Sequence, residues 1–322
     1  MTTAPATEHP VLAVLRERRA AGSLPGARAD AHRVALAVEG GGMRGVVSAA
    51  MTAAIEDARL TDAFDLVVGS SAGALNGAAL LAGVAGGCCA EYAGAFTSRR
   101  FINPARLLLG RAAVDVDYVL DFSSETTLDA DRHRRTAESA IDLVCVATDV
   151  DRAAPVALGD LRTLPALRTA LLASSRLPWI GGAPVDGDGR RYLDGGLAEP
   201  IPLDTALAAG ATHVLVLLTR PRGTALPPVG GTGDRLVERR LRALNPALVD
   251  LYRARPATYA AATARVVEAS ERPADGGPHV LGIWLPEGVP VPGRLERDAE
   301  RLRAGARAGR EAAERVLVAA EA

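Results

Sequence analysis

The sequence predicts an α/β fold: a three-layer sandwich in which a mainly parallel central sheet lies between helices and carries a helical cap. Three observations support this class. Val34–Val38 and Phe64–Val68 are short unbroken apolar runs, as expected of strands buried on both faces. Each is followed by an Ala-rich helical stretch, Val46–Leu60 and Ser71–Phe96, and strands that alternate with helices pair in parallel. Both strand-to-helix junctions are rich in glycine, which suits tight turns at the carboxyl edge of a sheet.

Residues 1–32 form a polar lead-in with one short helix, Val11–Ala21, and the α/β domain is expected over 33–322. Residues 97–140 are less regular and end in a charged cluster (Asp129, Asp131, Arg132, Arg134, Arg135), so they read as a cap or lid. Ile141–Thr148 and Ala154–Leu158 read as strands and Leu164–Ser175 as a helix. A Gly/Pro/Asp-rich loop spans Arg176–Gly189, and Arg191–Leu193 leads into Asp194-Gly195-Gly196. Pro202–Ala209 is a short helix stopped by Gly210, Thr212–Thr219 a buried strand and Arg220–Gly233 a loop. The region 234–322 is helical with one strand. Asp234–Ser270 is interrupted at Pro246 and Pro256, each of which lacks a backbone N–H, and His279–Trp284 is the last strand. Leu295, Ala299, Leu302, Ala306, Gly309, Ala313 and Val316 share one helical face. Ala and Gly at about half of these positions favour a helix docked on the sheet over a coiled coil.

The 322 residues carry 37 basic side chains, all of them Arg, against 38 acidic ones; 48% are hydrophobic but only 3% aromatic. That apolar content excludes a disordered chain. The charge balance excludes a nucleic-acid binder of the simple electrostatic kind. Three cysteines form no disulfide framework and have no zinc-ligand spacing, so no metal is expected. No basic-then-apolar leader opens the chain, which predicts a cytoplasmic protein. The scarcity of Trp and Tyr predicts that any contact with a membrane surface is peripheral and transient. The uncharged run Leu66–Ala90 meets the length criterion for a membrane span. Its six glycines, with Ser70, Ser71 and Asn76, instead predict a strand, a turn and a helix enclosed by protein.

Three motifs carry chemistry. Gly40-Gly41-Gly42-Met43-Arg44-Gly45 follows a strand and opens a helix, so backbone N–H groups can point outward to bind an anion. The anion is either a dinucleotide pyrophosphate or the oxyanion of an acyl-transfer intermediate. Gly69-Ser70-Ser71-Ala72-Gly73 has the G-x-S-x-G pattern at a strand–helix junction, where a strained turn exposes Ser71 Oγ as a nucleophile. Asp194-Gly195-Gly196 reads as an ordinary Asp-Gly turn or as the site of a base for that serine. A dinucleotide site needs an acidic residue at the end of the second strand. Asp65 lies near that strand's start instead, which favours the oxyanion reading.

In combination, G-G-G-x-R-G, G-x-S-x-G and D-G-G in this order resemble the patatin-like phospholipases. Ala173–Pro178, Leu197–Pro202 and Thr212–Thr219 are similar to the family's surroundings of its catalytic Asp, and Pro246–Arg255 and Leu295–Leu302 to a bacterial subgroup. The resemblance covers residues from about 33 to the end. It implies a Ser–Asp dyad without His or cofactor, with Ser71 as nucleophile and Asp194 as base. Gly41 and Gly42 would donate to the oxyanion, and Arg44 would lie near the substrate's head group. Gly40, Met43 and Gly45 complete the oxyanion loop; Gly69, Gly73, Gly195 and Gly196 shape the other two turns. The implied substrate is a lipid or other acyl ester, and nucleic acid is not a partner. A Ser-Asp-His triad is the rival within hydrolases, with His213 and His279 the histidines that follow Asp194. A non-catalytic lipid- or nucleotide-binding module on the same sheet is the second class.

Overall fold

The computed structural model describes residues 8–121 and 130–321; Asp129 and the first seven residues of the lead-in lie outside them. The elements run in order α1 (Pro10–Ala20), β1 (Val34–Val38), α2 (Val46–Asp57), β2 (Leu66–Ser70), α3 (Ala72–Leu81) and α4 (Ala85–Tyr92). Next come α5 (Val116–Asp121), α6 (Ala130–Glu138), β3 (Asp142–Asp149), β4 (Ala154–Leu158), α7 (Leu164–Ser175), β5 (Val185–Gly187) and β6 (Arg190–Asp194). The chain ends with α8 (Leu203–Ala208), β7 (His213–Leu218), α9 (Thr232–Leu244), α10 (Ala247–Glu271), β8 (His279–Trp284) and α11 (Ala299–Glu321).

The central strands β8, β7, β1, β2 and β3 lie side by side in parallel, giving the three-layer α/β architecture expected. The apolar runs have the predicted cause. Val34, Leu36 and Val38 of β1 enter the core beneath α2 and α11, while Ala35 and Ala37 enter the core beneath α8 and α10. Val67 against Leu66 and Val68 in β2, and Leu215 against Val214 in β7, repeat this alternation. With helices on both faces, the middle of each of these strands is apolar, and polar side chains such as Ser70 and His213 stand at strand ends.

The strands that depart from parallel order build the site. β3 outruns β2: the β2–β3 ladder ends at Ser70 opposite Val146, while β3 continues to Asp149. β4 covers the far edge of β3 antiparallel. The free end of the near edge is taken by β6, which arrives antiparallel and places Asp194 opposite Ala147. Two strands therefore meet end to end along β3, with Ser70 and Asp194 at successive rungs.

Several expectations need correction. β2 runs from Leu66 to Ser70 rather than over Phe64–Val68, because pairing with β1 and β3 carries it to the serine turn. The stretch 71–96 is two helices, parted at Gly83 with φ +71°. Val185–Gly187, placed in a loop by its composition, pairs with β6 as a hairpin. α10 continues through Pro256, because its packing on β8, with Tyr259 and Val266 buried, outweighs a lost hydrogen bond of roughly 3 kcal/mol. The last helix starts at Ala299 and docks mainly on α2 rather than on the sheet. Its buried face is Leu302, Ala308, Gly309, Ala312, Ala313 and Leu317, with Leu295 exposed and Ala306 and Val316 half-buried. A Cβ on Gly309 would come within 2.6 Å of the Val47 carbonyl, so the small residues of this face permit close helix approach. Among the described residues no helix is long and apolar enough to cross a membrane. Leu66–Leu81 is the strand, turn and helix that the glycines predict, whereas Ala85–Ala90 belongs to a second, partly exposed helix.

Candidate active site

Ser71 lies between β2 and α3 with φ +56° and ψ −126°, a conformation that costs a non-glycine residue roughly 1–3 kcal/mol. The surroundings hold it there. Its N–H donates to Ser174 Oγ at 2.9 Å, and Ser174 Oγ in turn donates to the Val146 carbonyl at 2.6 Å. The turn also sits too close to β1 for larger side chains. A Cβ on Gly73 would lie 2.1 Å from the Val38 carbonyl, and one on Gly40 would lie 2.2 Å from the Ser70 carbonyl. Gly69 and Gly195 are hemmed in similarly, by Ala74 and by the Val146 carbonyl. Gly45 packs against Ala72 and Tyr92.

Asp194 closes the arrangement. Ser71 Oγ donates to Asp194 Oδ2 at 2.5 Å, and the Gly196 N–H donates to Oδ1 at 2.8 Å. Thr148 Oγ1 donates to the Asp194 carbonyl and the Asp194 N–H to the Arg176 carbonyl, fixing the backbone on both sides. Ser71 and Asp194 are only 6% and 5% exposed. Burial raises the Asp194 carboxyl above the ordinary carboxylate range; the Ser71 hydrogen bond and Arg294 oppose this without cancelling it. A buried carboxylate with raised proton affinity, on a serine hydroxyl, can accept that hydroxyl's proton.

The glycine loop runs beside this pair. The Met43 N–H is taken by the Arg294 carbonyl at 3.0 Å. Among the described residues the Gly41 and Gly42 N–H groups have no such acceptor. Arg44 is 4% exposed and donates through Nε to Thr219 Oγ1 at 3.0 Å. Burial and the nearby Arg220 lower its pKa to about 9, which leaves it cationic at neutral pH.

Two pockets flank Ser71. One is apolar and bordered by Met43, Leu75, Tyr92, Phe96, Phe101 and Val119. Three of the chain's few aromatic side chains thus gather here, where composition alone suggests a small Ala-lined pocket. Phe101 and Val119 come from the segment expected to form a cap. The other pocket is bordered by Asp194 with Arg44, Arg220, Arg255, Arg294 and Tyr259. The sequence motifs do not point to the last four or to Ser174, because each is brought in by tertiary packing from far along the chain.

No histidine borders either pocket. His213 and His279 pair at the opposite, amino edge of the sheet with ring centroids 4.8 Å apart, and His32 lies 4.6 Å from His213. Asp65 also lies at that edge, bound by Arg18, Arg28 and the Val34 N–H, so no carboxylate is placed for a ribose there. Cys88, Cys89 and Cys145 are free thiols, and among the described residues no side-chain cluster is arranged to hold a metal.

The family model for patatin-like phospholipases matches residues 36–207, more than half of the chain and all three motif turns. The chain belongs to this family. Its relatives include the uncharacterized protein YjjU of Escherichia coli, 32% identical over 190 residues, which are 59% of this chain and 52% of YjjU. The chain thus spans about half the length of this relative. The crystal structure of VipD from Legionella pneumophila is similar at a TM-score of 0.41 and 13% identity, covering 90% of this chain and 67% of VipD.

Proposed function

We propose that this member of the patatin-like family is a serine lipid acyl hydrolase that cleaves carboxylic esters through an acyl-enzyme, with Ser71 as nucleophile and Asp194 as general base. The observation that carries the reading is the 2.5 Å hydrogen bond from Ser71 Oγ to the buried Asp194 carboxylate, with the serine on a strained strand–helix turn. Asp194 takes the hydroxyl proton as Oγ attacks the ester carbonyl. The resulting oxyanion is bound by the Gly41 and Gly42 N–H groups, each such donor being worth about 10²–10³-fold. Collapse expels the alcohol, which takes the proton from Asp194. Water, deprotonated by the same carboxylate, then releases the fatty acid.

The apolar pocket beside Ser71 supports an acyl chain, and Arg44 on the other side supports a polar head group. The absence of a histidine from both pockets favours the dyad over the triad. Free cysteines favour a reducing compartment such as the cytoplasm, and the substrate requires transient peripheral contact with lipid. The test is fatty-acid release from phospholipid and from p-nitrophenyl acyl esters. Wild type should release it and Ser71→Ala should not; an inert wild type, or an active Ser71→Ala, overturns the reading. Loss of activity in a folded His279→Ala variant overturns the dyad.

A further inference from the structure

Leu108 and Leu109 are 89% and 74% exposed, the most exposed large apolar side chains among the described residues. They sit at the tip of a loop whose base is pinned. Ile102 and Val114, both buried, form an antiparallel bridge. Beside it the Asn103 N–H donates to the Ala113 carbonyl at 2.8 Å and the Asp115 N–H to the Phe101 carbonyl at 2.9 Å. Between the two arms runs a short 3₁₀ helix, Pro104–Leu109. Asn103 Oδ1 starts it by accepting the Ala105 N–H, and Gly110 ends it at φ +67°. Arg106 ties the tip back by donating to the Arg100 carbonyl at 2.9 Å. The core beneath the base is filled by Ile102 and Val114, so the tip presents Pro104, Ala105, Leu108 and Leu109 to solvent. Removing a leucine from water is favourable, and a built loop that holds two of them out leaves that gain to a partner.

The surroundings of the tip carry one sign of charge. Residues 99–114 include Arg99, Arg100, Arg106 and Arg111 and no acidic side chain. Arg99, Arg100 and Arg111 are exposed and in no ion pair among the described residues; the Arg100 guanidinium lies over the Tyr118 ring. Arg106 is 3.9 Å from Asp115. The next carboxylates, Asp117 and Asp121, are engaged by Arg168 and Arg176. The inner side of the same loop faces the serine: Phe101 and Val114 border the apolar pocket beside Ser71.

We infer that the loop 99–114 is a membrane-docking element: Leu108 and Leu109 enter the surface of an anionic bilayer, and the four arginines rest on its head groups. This rests on the lipid-hydrolase reading above. An apolar tip ringed by cations matches a bilayer surface, where acyl chains lie just beneath negative groups. Two leucines without a Trp or Tyr anchor make the contact shallow and reversible. Docking through this loop brings the wall of the acyl pocket against the surface that an acyl chain must leave.

The test is co-sedimentation of the Ser71→Ala chain with vesicles, which requires no turnover. The chain should bind vesicles of mixed phosphatidylcholine and phosphatidylglycerol, and bind phosphatidylcholine alone more weakly. Leu108→Ser combined with Leu109→Ser should lower partitioning onto the mixed vesicles by about tenfold or more. Arg99→Gln combined with Arg111→Gln should lower it by roughly tenfold there, and little on phosphatidylcholine alone. Leu24→Ser, at an exposed leucine near the amino edge of the sheet, should leave it unchanged. Failure of the Ser71→Ala chain to bind, or binding that neither pair of changes diminishes, overturns the inference. With Ser71 intact, the leucine pair should slow fatty-acid release from vesicle phospholipid and leave hydrolysis of p-nitrophenyl butyrate unchanged. Equal loss on both substrates means that the tip supports the acyl pocket or the fold, and overturns the docking. A wild type inert on every ester, with vesicle binding that still depends on the leucines and arginines, supports the docking and removes only the catalytic reading. Light scattering supplies the last arm: a dimer that the leucine pair dissociates makes a second copy of this chain the occupant and overturns the inference.

Discussion

The two edges of the sheet each bury an arginine and treat it in opposite ways. At the amino edge Arg18, 2% exposed, donates to both oxygens of Asp30, to Asp65 Oδ2 and to the carbonyls of Ala63 and His32. At the carboxyl edge Arg44, nearly as buried, has one hydroxyl partner and arginines for neighbours. The amino edge is satisfied and stabilising. The carboxyl edge holds an unpaired cation, a buried carboxylate and a serine with a strained backbone. A fold tolerates that concentration of unfavourable terms where the groups act on a ligand.

Replacements at the two edges should separate these roles, and the largest effect is expected at the strained serine. Ser71→Ala should reduce ester hydrolysis to background without lowering the unfolding midpoint. Asp194→Asn should cost roughly 10²–10⁴-fold in kcat. It should also raise stability at neutral pH, because a carboxylate with raised proton affinity destabilises the folded state once ionised. A urea titration showing lower stability would contradict that account. Arg18→Met should lose about 3–5 kcal/mol by the same titration, since Asp30 and Asp65 lose their shared partner. Arg44→Gln should leave stability unchanged or raise it, as no ion pair is broken and an unpaired buried charge is removed; a loss as large as that of Arg18→Met would end the contrast.

Acid should act on the edges with opposite sign. Burial lowers the His213 pKa to about 4, helped by His32 and His279, and lowers that of His9. The unfolded chain therefore binds more protons than the folded one between pH 6.5 and about 4, and stability falls as the pH drops through that window. Asp194 contributes the other way, its cost being relieved as it protonates. The acid limb of kcat/KM should lie above the ordinary carboxylate range, since Asp194 must be ionised to act. His213→Gln should flatten the stability curve and leave the kcat/KM limb in place.

Much of this was legible in the chain. The apolar runs gave β1 and β7 nearly to the residue, because strands buried on both faces leave an uninterrupted signal, and the half-buried edge strand β8 was bounded as well. The serine turn was legible because strained turns demand small neighbours, and Gly69 and Gly73 are required by the close approach of Ala74 and of the Val38 carbonyl. The hairpin strand Val185–Gly187 was not, since three residues beside turn formers carry no period. Pro256 misled because propensity is local, whereas the packing of α10 is not.

By itself the sequence determined the α/β class and the three turns, because both are written in short-range patterns of apolar runs and glycines. The tertiary structure decided how those turns meet. β3 outruns β2 by the length over which β6 pairs with it, and this brings Asp194 to Ser71 across 123 positions of sequence. It also gathered Arg220, Arg255, Arg294 and Tyr259 beside Arg44. No short-range pattern encodes that gathering, because Arg220 follows β7, Arg255 and Tyr259 lie on α10, and Arg294 precedes α11.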